Sequence, residues 1–97
     1  NNPALPLDLE LRLSRDKDSF IRAAIARRTK DEAMLLRLSR DRSLGRVRVA
    51  VAGNPHTPEE ARTYLARSSM REVHHALLRA EVVRASWSHR GKRKGKR

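Results

Sequence analysis

Cysteine is absent from the 97 residues, which excludes disulfides, thiolate zinc sites and cysteine-held iron–sulfur clusters. The simplest home for such a chain is a reducing compartment, the cytoplasm, with association to the nucleoid if the source is bacterial. Aromatic residues are nearly as scarce, with one Trp, one Tyr and one Phe, so any core must be built from Leu, Ile, Val and Ala. No apolar run approaches the roughly 20 residues that cross a bilayer. No signal-peptide core stands at the start either, and no membrane partner is expected. Chains this short bury only about 60–65% of the surface their unfolded form exposes, which argues against an elaborate buried catalytic cavity. The chain opens on Asn1 rather than Met, which points to a trimmed N-terminus and a preceding segment.

What is abundant is positive charge. Lys and Arg number 23 against 11 Asp and Glu, a net charge of +12. Such a balance speaks about partners and not about fold. All 11 acids lie at or before Glu81, and seven basic residues follow it, so the last sixteen residues carry +7 and the rest +5.

The sequence repeats itself. Ile21-Arg22-Ala23-Ala24-Ile25-Ala26 returns 26 residues later as Val47-Arg48-Val49-Ala50-Val51-Ala52, and Asn2-Pro3-Ala4-Leu5-Pro6 returns 52 residues later as Asn54-Pro55-His56-Thr57-Pro58. Leu13-Ser14-Arg15-Asp16 recurs as Leu38-Ser39-Arg40-Asp41 and, more loosely, as Leu65-Ala66-Arg67-Ser68. A period in this range is the signature of stacked units that cannot stand alone.

Each unit reads as two helices. Thr57 with Pro58 and Glu60, Thr29 with Glu32, and Ser69 with Glu72 have the spacing of capping boxes. Leu9 with Leu13, Met34 with Leu38, and Ala61 with Leu65 fall on one face of the first helix. The second helix begins near Asp18, Ser43 and Ser69 and is more apolar all round. Its small residues Ala24, Ala26, Ala50 and Ala52 predict close helix approach, with Ile21, Ile25, Val47, Val51, Val73 and Leu77 filling the seam. The expected organisation is an all-α helical repeat domain over 1–80, in repeats of roughly 2–27, 28–53 and 54–80, followed by a cap and basic arm over 81–97.

The order N-P-x-x-P, a Leu-spaced helix, S-R-D, then [IV]-R-x-A-[IV]-A resembles the leucine-rich repeat variant family, HEAT-like α-solenoids, over about residues 2–80. The resemblance implies a right-handed α-solenoid of about three two-helix repeats, one helix of each often 3₁₀-like, with a concave surface for partners. The middle repeat departs by carrying Arg28-Thr29-Lys30 at the turn, and the cysteine-rich segment some members use for a cluster is missing. Such solenoids serve proteins and nucleic acids alike.

Stacked repeats align equivalent positions as columns. Arg22, Arg48 and His74 stand at intervals of 26, Arg27 and Arg79 form a second column interrupted by Gly53, and Arg15, Arg40 and Arg67 recur at the corners. Guanidinium groups suit phosphate because their planar fork donates two parallel hydrogen bonds. Arg22 and Arg48 belong to the repeat pattern and read equally well as braces between repeats. Arg28, Arg42, Arg46 and Arg71 fall outside it and read as partner-directed.

The stretch Arg90-Gly91-Lys92-Arg93-Lys94-Gly95-Lys96-Arg97 reads as an unstructured arm, its glycines and like charges opposing a helix. Alternative roles for it are solubility, a nuclear-localisation-like signal or an anchor for anionic lipid. Trp87 reads as a cover for the end of the core or as a stacking platform for a base.

No enzyme site is expected. His74 and His75 are adjacent and diverge by about 100° on a helix, which rules out a shared metal, and His56 reads as an exposed turn residue. Asp16 and Asp18 lack the glycine and glutamate of a calcium loop. HEAT-like DNA glycosylases are a remote third reading, since no catalytic carboxylate in a cleft is evident. The sequence therefore predicts a non-catalytic binder of DNA or RNA without metal, cofactor or small-molecule substrate. It would make phosphate contacts through Arg22, Arg28, Arg42, Arg46, Arg48, Arg71, His74, Arg90, Lys92, Arg93, Lys94, Lys96 and Arg97. The alternative is a scaffold that grips an acidic protein.

Overall fold

A helix of seven residues is nearly all ends. Its first four N–H and last four C=O groups lack intrahelical partners, so side chains and neighbouring turns must supply them. The computed structural model describes residues 5–43 and 45–96, with side chains as far as 87. Among these residues the chain is all-helical, with α1 (Leu7–Leu13), α2 (Ser19–Arg28), α3 (Glu32–Leu38), α4 (Arg46–Gly53), α5 (Glu59–Leu65) and α6 (Arg71–Lys96). The seven-residue helices α1, α3 and α5 alternate with the others, and α4 packs between α2 and α6. The molecule measures 50 × 35 × 21 Å, its thinnest dimension matching two helix layers of about 10 Å. No helix among the described residues is long and apolar enough to cross a membrane.

Each short helix closes with the same pair of tight bonds. Arg15 and Asp16 donate their backbone N–H to Arg12 and Leu13, Arg40 and Asp41 to Arg37 and Leu38, and Arg67 and Ser68 to Tyr64 and Leu65. This i to i−3 bonding is confined to the closing turn. The helices themselves are α, and the expected 3₁₀ helix is not formed among the described residues. One side chain then holds each turn: Asp16 Oδ1 accepts from the Asp18 N–H at 2.8 Å, Asp41 Oδ1 from Ser43 at 2.9 Å, and Ser68 Oγ from Met70 at 3.0 Å.

Asp18 caps α2, accepting from the Phe20 N–H, and Asp31 caps α3, accepting from Met34. The threonines expected as caps lie one or two residues too early and are buried instead. Thr29 Oγ1 donates to Glu10 Oε1 at 2.8 Å while accepting from the Asp31 N–H, and Thr57 Oγ1 donates to the Val51 carbonyl at 2.7 Å. Pro58 occupies the N-cap of α5. Ahead of α6 the side chain that accepts is Ser68, not Ser69. For both threonines a buried carbonyl or carboxylate claims the hydroxyl, because leaving such a group unpaired is costly.

Asn54 is the firmest of these clasps. Its Nδ2 donates to the carbonyls of Ala26 and Thr29, both at 2.8 Å, and its Oδ1 accepts from the His56 N–H. The end of α4 is thereby tied to the end of α2. Gly45 starts α4 with φ of 82°, a left-handed conformation that favours glycine, and a Cβ there would displace the end of the Met70 side chain, whose Cε would lie at 2.6 Å.

The core is aliphatic, as the shortage of aromatics requires. Ile25, Ala26, Met34, Leu35, Leu38, Val47, Val51, Ala52, Leu65 and Val73 are buried in it. Ala24 is exposed, contrary to its expected place in the seam, and Ala23 and Ala76 are buried instead. Leu9, Leu13, Ile21 and Leu77 are only half-buried.

The boundary expected between 80 and 81 falls inside α6, which continues helical to Lys96. Val73, Ala76 and Ala80 anchor its first half, so the costly nucleation step is already met and each added residue needs only propagation. Lys and Arg are good helix formers, and positive charge near a C-terminus favours the helix dipole. Gly91 and Gly95 weaken such an extension by about 1 kcal/mol each without ending it. The expected unstructured arm over these residues is thus helical backbone. Asn2, Pro3 and Ala4 of the first turn motif lie outside the described residues.

Removing the Asn54 clasp should be more damaging than removing one hydroxyl. Asn54→Ala leaves two buried carbonyls without a donor and is expected to lower unfolding free energy by about 2–4 kcal/mol, against about 1–2 kcal/mol for Thr57→Val, in urea titrations.

Candidate nucleic-acid interface

The first residue of the expected cationic column is not available to a partner. Arg22 Nε donates to Asp41 Oδ2 at 2.9 Å, Nη1 to the carbonyls of Asp16 and Lys17 at 2.6 and 3.1 Å, and Nη2 to Ser43 Oγ at 2.6 Å. Both side chains of the ion pair are largely buried, at 15% and 13% exposure. Every nitrogen of the guanidinium is engaged, so Arg22 has no free fork for phosphate. It braces α2 against the α3–α4 turn, which is the second of the two roles its pattern allowed. Burial opposes ionisation of Asp41, but hydrogen bonds from Ser43 and Arg22 and the charge of Arg22 outweigh it and hold the carboxyl below its ordinary value.

The other column members differ. His74 Nε2 donates to the Ser68 carbonyl at 2.6 Å, the same six-residue reach that Arg22 makes to Asp16. Arg48 is half-buried. Its Nη2 reaches only Met70 Sδ, at 3.8 Å, and its Nε is buried with no partner among the described residues.

Of the residues outside the repeat pattern, Arg28 is partly exposed, 3.8 Å from Glu10. Arg42 and Arg71 are exposed and form no ion pair among the described residues. Arg71 opens α6, where its charge opposes the helix dipole, so helix stability does not account for it. Arg46 donates to Ser19 Oγ at 2.8 Å and stacks over the Phe20 ring, 3.7 Å from its centroid. These sites do not form one cluster.

A shared site does exist elsewhere. Arg46, Val49, Ala50 and Gly53 fall on one stripe of α4, and with Arg27 of α2 and Arg79 of α6 they line an open groove of about 470 Å³. Glu72 is its one acidic lining residue. The groove unites the column of Arg27 and Arg79 across Gly53, whose missing side chain leaves the floor low between them; Ala76 Cβ and Arg79 Nη2 are 3.7 and 3.8 Å from where a Cβ would stand. The sequence signal for Arg27 and Arg79 was the column itself, although neither stood among the predicted phosphate contacts. Three guanidiniums on an apolar floor are suited to a run of phosphates, since arginine is weakly hydrated and forks onto oxyanions.

Backbone helix carries residues 90 to 96. The side chains of Arg90, Lys92, Arg93, Lys94 and Lys96, and all of Arg97, lie outside the described residues. Trp87 stacks at 5.1 Å on His56, in the turn before α5, and remains 43% exposed. His56 is accordingly half-buried, not a free turn residue.

The Asp41 ion pair generates a pH prediction. A depressed folded-state value means that the stabilisation is fully present above the ordinary aspartate value of 3.8, and is lost as pH falls through the depressed one. Asp41→Asn should therefore cost about 1–3 kcal/mol at pH 7, with wild-type and variant melting curves converging at the acid end. Comparison of the chain with protein-family models, with curated proteins and with solved structures found no match.

Proposed function

We propose that this protein is a non-catalytic binder of DNA or RNA that grips the phosphate backbone. The groove bearing Arg27, Arg46 and Arg79 carries the reading, because it gathers cations from three helices onto one concave surface with a single acid. The helical end of α6 adds to it. Six of the last eight residues are basic and none is acidic, and the backbone of residues 90–96 continues α6. Phosphate contacts of this kind position a partner without reading its sequence, so low sequence specificity is part of the proposal.

The same proposal includes the architecture: a right-handed α-solenoid of about three helix pairs, related to leucine-rich repeat variant proteins. The threefold recurrence of the closing turn after α1, α3 and α5 and the spacing of Arg22, Arg48 and His74 support it. An acidic protein partner is the second reading, favoured by exposed Leu78 and Val82 on α6, which a polynucleotide would not need.

Electrophoretic shift titrations with duplex, single strand and RNA at several salt concentrations separate the two. Neutralising about six phosphates gives a slope of log affinity against log salt near −5. Arg27→Ala and Arg79→Ala should each flatten that slope by about 1, and a chain ending at Ser86 should flatten it further. Absence of binding to any polynucleotide in dilute buffer would remove the proposal in favour of the protein partner.

A further inference from the structure

The two places where a column arginine meets the following turn differ in a way that leaves one of them incomplete. At the first, Arg22 finds Asp41 and Ser43 as acceptors. Arg48 stands 26 residues beyond Arg22, and the equivalent turn residues, 27 beyond, are Ser68 and Met70. Their equivalence is structural as well: Ser68 Oγ accepts from the Met70 N–H as Asp41 Oδ1 accepts from Ser43. A carboxylate has thus become a hydroxyl, and a hydroxyl has become a thioether.

The consequences are visible at Arg48. Its Nη2 has exchanged a 2.6 Å bond to oxygen for a 3.8 Å contact with sulfur, and its Nε is buried without a partner among the described residues. A buried charged donor in that state is costly. Beside it lies a cavity of about 150 Å³ lined by Arg48, Tyr64, Leu65, Arg67 and Ser68. Arg40 stacks over the Tyr64 ring at 4.3 Å, bringing a third guanidinium close by.

We infer that this cavity is a binding site for a single phosphate group, held by the guanidiniums of Arg48 and Arg67 and the Ser68 hydroxyl that line it. Charge favours phosphate over a second carboxylate. Asp41 answers one arginine with one negative charge, whereas Arg48 and Arg67 together offer two positive charges, matching the −1.5 to −2 of a phosphate monoester near pH 7. Ser68 already accepts from Met70 and keeps its hydroxyl proton for an oxyanion.

The site is separate from the groove. Arg48 and Arg46 are two positions apart on α4, about 200° around the helix, and only Arg46 lines the groove. The inference therefore stands or falls without the nucleic-acid reading, and free phosphate is enough to test it. The phosphate can be a free anion or one group of a polynucleotide backbone.

The test is thermal melting of the full chain in inorganic phosphate against chloride at equal ionic strength, for wild type and for Ser68→Asp, which restores the missing carboxylate. Wild type should gain about 6–10 °C at a phosphate concentration ten times Kd. Ser68→Asp should melt higher than wild type in chloride and gain only the general salting effect common to both proteins. Arg48→Met, which removes the guanidinium while keeping its bulk, should also lose the increment. In ¹H–¹⁵N spectra of wild type the Arg48 Nε–H resonance should move as phosphate is added. Equal increments in wild type and both variants, or a stationary Arg48 resonance, would overturn the site. Duplex titrations then identify the source: weaker binding by Ser68→Asp assigns a backbone phosphate, and unchanged binding assigns a free anion.

Discussion

The constraint on which the structure depends is that buried peptide groups must be hydrogen-bonded, applied to helices too short to satisfy themselves. With α1, α3 and α5 at seven residues and α4 at eight, most backbone groups in these elements are end groups. The C-terminal carbonyls are met by side chains that lie later in the chain. Asn54 serves the end of α2, Thr57 the carbonyl of Val51, Ser14 and Ser39 the carbonyls of Leu11 and Leu36. Hydrogen bonds of this sort contribute only about 1 kcal/mol net when made but cost more when one partner is lost. A helix pair in this chain is consequently not an independent unit, and its neighbours complete it.

The same constraint sorts the arginines. An arginine whose turn offers acceptors is drawn into it, as Arg22 is drawn to the carbonyls of Asp16 and Lys17 and to Asp41. Charge that survives for a partner lies where few acceptors compete. Gly53 and Ala50 mark such a place on α4, because small residues leave room between Arg27 and Arg79 and offer no side-chain acceptor, Glu72 being the one acid that lines the groove. Net charge by itself says nothing about this division. The surplus that reaches solvent is smaller than +12 suggests for some residues and more concentrated for others.

Much of the helical plan was legible in the sequence, because apolar spacing in Met34, Leu38, Val47 and Val51 directly encodes which side faces inward. The start of α2 near Asp18 was legible as well, though not that Asp18 itself caps it. Thr29 and Thr57 were misread because capping boxes are local patterns, and the groups that claim these hydroxyls, Glu10 and Val51, are placed near them only by tertiary packing. Ala24 was misplaced since alanine fits inside and outside alike. Residues 88 to 96 were misread because composition judges a segment in isolation, whereas here it continues a helix already nucleated by Val73, Ala76 and Ala80. Of the interface, the column of Arg27 and Arg79 was visible as spacing, but that Arg46 joins it depends on a crossing of α2, α4 and α6 that no local pattern contains.

The phosphate site proposed at Arg48 lies at a departure from the repeated pattern, not in the pattern itself. Where Arg22 meets Asp41, the pair is closed and structural. Where Arg48 stands near Ser68, the turn is held by the same kind of bond, yet the carboxylate is gone, Nε is buried without a partner among the described residues, and the arginine lines a cavity. Drift at one position of a column leaves the scaffold standing, because the turn bond from Met70 survives the loss of the carboxylate. What changes is only whether a buried arginine is answered from within the chain or from outside it. An array of short, mutually completing helices can therefore acquire a ligand site by losing one acceptor.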